Sequence, residues 1–188
     1  MRNYKDVGDK MQASAFIASE KNKQELEEEL NTLEVQVFRM QQNVKEIAKQ
    51  ASIVSIDQTK EANWVIIYSI RKANSIQMML HECTKPFRGK WDSAIEAEYK
   101  RENTLHISDI KGEENKGYGS VLMNHLKELA YDENKHYITG DIVKRDFDHV
   151  ERLKYFYAKH YFDISIDHKE EKGKIIWSLA NNQDVSLS

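Results

Sequence analysis

From residue 22 onward, apolar side chains return alternately every four and three residues: Leu26, Leu30, Leu33, Val37, Met40, Val44 and Ile47. That spacing is the a/d seam of a heptad repeat, uninterrupted by Gly or Pro, and it predicts a long helix over residues 22–50. Ahead of it, residues 1–20 are polar apart from Ala15–Ala18 and predict a weak helix or a frayed terminus. Val35 and Phe38 add a second apolar patch on the outer side of the helix. With Leu30, Val37 and Val44 at a, Glu29 and Glu34 fall at g and e, where a parallel homodimer would set them against each other. Three uses stay open for the seam: self-association, a partner helix, or packing on the chain's own globular part. The two-faced pattern suits an antiparallel bundle or docking on a domain better than an isolated parallel dimer.

After Ala51 the period shortens towards two. Trp64–Arg71 is β-branched and aromatic, Lys72–Ser75 is turn-like, and Ile76–Glu82 returns as a second strand. Thr84–Trp91 holds the only proline together with Gly89 and predicts a loop; Ser93–Lys100 fits a short strand or helix. Leu105–Lys111 alternates as a strand, with Leu105, Ile107 and Asp109 on one face and His106, Ser108 and Ile110 on the other. Val121, Leu122, His125, Leu126, Leu129 and Ala130 then stripe a helix. His136–Val143 is a further strand and Asp148–Tyr161 a helix, with Val150, Leu153, Tyr157 and Tyr161 in line. Phe162–His168 and Lys174–Leu179 make a terminal hairpin about Lys172-Gly173. The order β-β-β-β-α-β-α-β-β predicts a mixed α/β domain with a parallel, right-handed crossover through the glycine-led helix.

Composition narrows the classes. A formal charge of −3 over 188 residues gives no reason to expect a nucleic-acid partner. The single cysteine, Cys83, excludes an internal disulfide and reads as a buried structural thiol in a reducing compartment. No apolar run approaches the ~20 residues that span a bilayer. The seven histidines show no ligand-pair spacing backed by a third ligand, so no metal is expected. The expectation is a cytoplasmic, membrane-free protein: a helical arm over residues 1–53, an α/β domain over 54–182, and a polar tail over 183–188.

Between the strand at 105–111 and the next helix lies Glu114-Asn115-Lys116-Gly117-Tyr118-Gly119-Ser120. Glycines let backbone approach a ligand closely, and the first N–H groups of a helix point outward at positive potential, so the turn is a candidate phosphate cradle. This stretch resembles the diphosphate loop of the GNAT superfamily, the acetyl-CoA-dependent N-acetyltransferases. The loop pattern Arg/Gln-x-x-Gly-x-Gly/Ala is matched at Gly117 and Gly119, with Ser120 opening the helix. Glu114 stands where the pattern has Arg or Gln and would have to point to solvent, leaving Lys116 to supply positive charge. The resemblance covers roughly residues 60–180 and implies a GNAT-like mixed sheet whose first strand and helices precede Trp64.

It also implies the chemistry. Acetyl-CoA would be the co-substrate, with its diphosphate on Asn115, Lys116, Gly117, Tyr118, Gly119 and Ser120. The strand before the loop would splay from its neighbour and offer the backbone of Asp109, Ile110 and Lys111 to the pantetheine arm. An amine of a small molecule or protein would attack directly in a ternary complex, without a metal. The family's tyrosine motif is matched at Tyr157 and Phe162 in Phe156-Tyr157-Ala158-Lys159-His160-Tyr161-Phe162, with Tyr161 replacing a glycine. Tyr157 would protonate the leaving thiolate; helical spacing alone favours a core residue, and the two roles are compatible. Asp109 and Asp141 are candidate bases by placement, and a water chain would serve as well. The acceptor pocket would be shaped by Trp64–Trp91, with Phe87, Arg88 and Trp91 at its rim. The departures at Glu114 and Tyr161 leave an alternative: an inactive GNAT-like domain that acts as a scaffold through its N-terminal helix.

Overall fold

The computed structural model describes residues 4–101, 103–113 and 115–180, with side chains described from residue 22. Helix α1 runs Tyr4–Ile47, so the segment expected to be weak or frayed continues into the heptad helix. The chain divides into two units, residues 1–42 and 43–188. In the first unit, Leu26, Leu30, Leu33 and Val37 of the seam are each 51–59 % exposed. Among the described residues no helix is long and apolar enough to cross a membrane. The expectations for Glu114 and for the 183–188 tail lie outside the described residues.

The second unit is built on one sheet. Its strands are β1 (Ser52–Gln58), β2 (Trp64–Lys72), β3 (Ser75–Glu82), β4 (Ser93–Lys100), β5 (Thr104–Gly112), β6 (Tyr137–Ile142), β7 (Asp163–Asp167) and β8 (Lys172–Ser178). They lie in the order β1-β2-β3-β4-β5-β6-β8-β7. Every pairing is antiparallel except β5 with β6. Those two are joined by α2 (Tyr118–Asp132), the crossover that the glycine-led pattern predicts. Helix α3 (Val150–Lys159) follows a 3-10 turn over Lys144–His149.

Several expectations change. β1 opens at Ser52, two residues before the expected domain start, and leads to β2 through a turn at Thr59–Asn63 with no helix between them. Its short alternation of Ile53, Ser55 and Asp57 is too polar to stand out, because an edge strand buries little. The hairpin turn is at residues 168–171, with Lys172 and Gly173 already paired inside β8. Tyr161 is not on the α3 stripe: it lies beyond the helix, 63 % exposed, at φ 58°. It takes the left-handed turn a glycine would take, at a cost on the order of 1 kcal/mol. The chain therefore leaves α3 for β7 in spite of the missing glycine.

One face of the sheet carries Val65, Ile67, Ile76, Met78, Leu80, Ile95, Leu105 and Ile107 against the buried stripe of α2, which includes Tyr118, Val121, Leu122 and Leu126. Burying each such aliphatic side chain contributes about 1.5–3 kcal/mol, and this stripe fixes where the start of α2 sits. On the opposite face Ile66, Tyr68 and Met79 are buried as well. There Phe87 packs edge-on against Tyr68 and His81, at centroid distances of 5.9 and 5.2 Å. Asn43, 2 % exposed, holds this loop by donating to the Lys85 carbonyl (3.0 Å) and accepting from the Phe87 amide (2.8 Å).

Candidate functional site

The site begins with a break in the sheet. β5 and β6 pair in parallel from Thr104/Tyr137 to Ile107/Gly140 and no further. Beyond that point β5 continues only along β4 and β6 only along β8. The two strands splay, and a cleft of about 350 Å³ opens in the gap. A register shift between Glu96 and Ala97 marks the same place. Glu96 faces Asp109 and Ala97 faces Ile107, so Ser108 is an extra residue on β5. The bulge corrects the expected faces. Ile110 returns to the side of Leu105 and Ile107, and Asp109 moves to the side of His106 with Glu96 and Glu98. Strict alternation could not show this, because a bulge inverts the pattern without changing composition.

The second part of the site is the loop. Gly117 is the N-cap of α2 at φ 75°, ψ −3°, and Asn115 before it is also left-handed at φ 59°. Tyr118 and Gly119 sit in the first turn, where N–H groups have no intrahelical acceptor. Ser120 N is turned back onto the Gly117 carbonyl at 3.0 Å. The Tyr118 ring is buried, and its hydroxyl donates to Glu82 Oε2 at 2.6 Å; burial and then Glu82 raise its pKa above the ordinary phenol value. Tyr118 therefore offers the site its amide alone. Above the loop lies a second cleft of about 530 Å³, walled by Lys111, Gly112, Asn115, Gly117–Ser120 and α3. Ile110 and Leu153 line both clefts, so the two adjoin. Lys116 is exposed at the loop.

Apart from Leu153, helix α3 presents different side chains to the two clefts. Leu153 and Tyr157 line the splay, while Arg152, Tyr155, Phe156 and Lys159 line the loop cleft. The second set has i, i+3, i+4, i+7 spacing, one helix face, and that period is the signal by which sequence reasoning could have found it. Lys159 Nζ donates to Ser120 Oγ at 2.9 Å, bringing a cation to the first turn of α2. Phe156 lies close enough to Gly119 that an added Cβ would stand 3.4 Å from its ring.

Tyr157 is 7 % exposed and lines the splay, and no described residue hydrogen-bonds its hydroxyl. Burial first, then the negative charges of Asp146 and Asp109, hold it well above the ordinary phenol pKa. Asp109 lies in the same cleft but is ion-paired to Lys111 Nζ at 2.7 Å, with Arg145 Nη2 at 4.0 Å. Asp141 lines it too, 3.7 Å from His106 Nε2. His106 is a residue that sequence reasoning placed on β5 without a role; its Nδ1 lies 3.0 Å from Thr139 Oγ1. Phe87, Arg88 and Trp91 line neither cleft. Cys83 is buried, and burial, then Glu82, pushes its thiol up to about 11, which leaves no thiolate for nucleophilic work.

The chain is 48 % identical over 162 residues to the uncharacterized protein YocC of Bacillus subtilis strain 168, covering 86 % of this chain and 98 % of that protein. No family model matches it. Among solved structures, a cAMP-binding acyltransferase from Mycobacterium smegmatis superposes with a TM-score of 0.51 at 9 % identity, over 73 % of this chain. This chain spans half the length of that structure. A GNAT-family acetyltransferase from Staphylococcus aureus Mu50 aligns over 56 % of this chain and 68 % of its own, at 11 % identity and a TM-score of 0.44. The fold is the GNAT fold.

Proposed function

The chain belongs to one family with YocC of Bacillus subtilis, and from its GNAT fold and its site we propose that it is an acyl-CoA-dependent N-acyltransferase. The observation that carries this reading is the pair of adjoining clefts, one over the left-handed loop at Gly117 and one in the splay between β5 and β6. A diphosphate would lie on the Tyr118 and Gly119 amides with Lys159 alongside, and Asn115 and Lys116 at its rim. The pantetheine arm would run past Lys111 and Ile110, where the parting of β6 leaves one side of β5 without a strand partner. An extended arm bearing amides suits such a backbone row, as an added strand would.

With acetyl-CoA as donor, the thioester carbonyl would reach the splay beneath Tyr157. The acceptor nitrogen attacks that carbon; the C–N bond forms, the C–S bond breaks, and the proton lost by the amine ends on the departing sulfur. Imidazole is the side chain best suited to take a proton near neutral pH, and His106 faces the cleft held by Thr139. We assign it the base role ahead of Asp109, whose oxygens are engaged by cations. A thiol ordinarily titrates near about 8.5, well below the raised phenol of Tyr157. Tyr157 thus serves as a hydrogen-bond donor to the leaving sulfur, and its ring belongs to the core at the same time.

Calorimetric titration with acetyl-CoA tests the reading. Binding in the micromolar range, about −8 kcal/mol, with competition by free CoA is expected. A protein that binds neither would have to work as a scaffold through α1, and the transferase reading would be abandoned.

A further inference from the structure

We propose that Lys127 is a positioning residue of the transfer step: reaching from α2, it closes the last turn of α3 and so fixes the place of the Tyr157 hydroxyl in the splay. The proposal rests on the transferase reading and names the residue that holds its hydrogen-bond donor in place. The end of α3 is a Schellman turn. The Phe162 amide donates to the Tyr157 carbonyl at 3.0 Å and the Tyr161 amide to the Ala158 carbonyl at 2.9 Å, the paired bonds of that motif. The Phe162 and Tyr157 rings lie 5.4 Å apart between centroids, the apolar contact that accompanies it. One part of the motif is missing: the left-handed position is Tyr161, at φ 58°, where glycine is the usual residue. Something other than glycine must keep the turn closed.

Lys127 is placed to do so. Its Nζ donates to the His160 carbonyl at 2.6 Å, one of the terminal carbonyls that a helix leaves without an internal partner. A cation there also meets the negative end of the α3 dipole. The same amine lies over the rings of Tyr161, Phe162 and Trp177, 5.6, 5.7 and 5.7 Å from their centroids, within the range of cation–π attraction. Trp177 comes from β8 and is buried, as is Phe162. One lysine therefore holds the cap carbonyl, the residue in the strained conformation and the residue after it. Burial lowers the pKa of its amine to about 8, which marks a group drawn out of solvent rather than a surface chain lying nearby.

The turn bears on the chemistry through the residue at its start. The Tyr157 carbonyl accepts from the amides of both His160 and Phe162, and the Tyr157 side chain lines the splay. Opening the turn frees the backbone that carries the phenol, and a displacement of about 1 Å is enough to cost about 10²-fold in rate. Lys159 lies in the same turn, but it reaches Ser120 Oγ through a flexible four-carbon stem that can follow a shifted backbone. Loss of Lys127 should therefore fall on turnover far more than on carrier binding.

The test follows amide hydrogen exchange and turnover in the full chain, with acetyl-CoA as donor and the fastest acceptor from a panel of amines. Lys127→Met keeps the stem and removes the amine. It should speed exchange of the Tyr161 and Phe162 amides about tenfold or more. It should lower kcat about tenfold or more while Kd for acetyl-CoA stays within about threefold. Tyr161→Gly supplies the turn in the usual way: alone it should leave kcat within about twofold of the parent, and combined with Lys127→Met it should bring kcat back to within about threefold. In a Tyr157→Phe background, Lys127→Met should lower kcat by less than about twofold, because the hydroxyl through which it acts is gone. Should Lys127→Met alone fail to fold, folding and turnover should both return in the combination with Tyr161→Gly. Unchanged exchange in Lys127→Met overturns the proposal. Faster exchange with unchanged kcat, a loss that adds to that of Tyr157→Phe, or one that Tyr161→Gly does not restore makes Lys127 a structural cap only and overturns the positioning role, leaving the transferase reading standing. Absence of both acetyl-CoA binding and turnover removes the transferase reading and the positioning role together.

Discussion

Gly117 isolates the backbone's part in carrier binding. Its φ of 75° is a conformation that costs an L-residue about 1–2 kcal/mol, whereas an added Cβ would meet nothing nearer than Thr59 Cβ at 4.0 Å. Gly117→Ala therefore tests conformation without steric conflict. If the loop keeps its shape, the whole cost falls on stability: about 1 kcal/mol, or roughly 2–4 °C in Tm for a domain of this size. Acetyl-CoA binding should then weaken by less than about threefold. Gly117→Val adds β-branching, which resists the left-handed region further and drives the loop out of it. The Tyr118 and Gly119 amides then turn away, and Kd should rise at least tenfold, about 1.4 kcal/mol. Calorimetry on both variants, with melting curves beside it, separates the two effects. Gly117→Val binding within twofold of the parent, with or without a lower Tm, would refute the cradle.

Three further outcomes are expected. Tyr157→Phe keeps the ring in the core, so Tm and acetyl-CoA affinity should hold while kcat falls by about 10²-fold, the loss typical of one hydrogen-bond donor to a developing anion; equal loss of stability and binding would make Tyr157 a packing residue only. Lys159→Met should raise Kd for acetyl-CoA about fivefold, near 1 kcal/mol, and flatten its salt dependence; an unchanged salt slope removes Lys159 from the site. His160 is 5 % exposed and its pKa is lowered to about 4, by burial first and then by Lys127, Lys159 and Lys60. The unfolded chain takes up that proton first, so stability should drain away as pH falls from about 6.5 to about 4. His160→Phe should flatten that limb in urea titrations, and an unaltered limb would assign the acid sensitivity elsewhere.

The parts of the fold that bury most were legible in the sequence. β2, β3, α2 and the β5–α2–β6 crossover carry strong periodicity because each has a wet face and a dry one. β1 was missed because it is an edge strand with a polar pattern. The bulge at Ser108 was missed because it moves side chains between faces without altering them, and that hid the juxtaposition of Asp109, Glu96 and His106. The glycine loop was visible from local residue types, as backbone-made sites are. Lys159 and His106 were not, since each matters through a neighbour 39 or 33 positions away in the chain. Tyr161 showed the limit of a motif: an absent glycine did not prevent the turn that glycine would have eased.

The parting of β5 and β6 has a consequence for how the protein meets other chains. Sheet edges normally lie at the rim, where any passing strand finds a row of open peptide groups, and such edges invite unwanted partners. Here an edge of that kind lies in the interior of an eight-stranded sheet, between two of its own strands. A polypeptide strand brings side chains on both faces and needs neighbours about 4.8 Å away on each side, which a narrowing wedge does not allow. A thin, flexible arm with an occasional amide meets no such obstacle. The wedge works as a sieve by thickness: it keeps the hydrogen-bonding capacity of a β-edge while withholding it from other proteins.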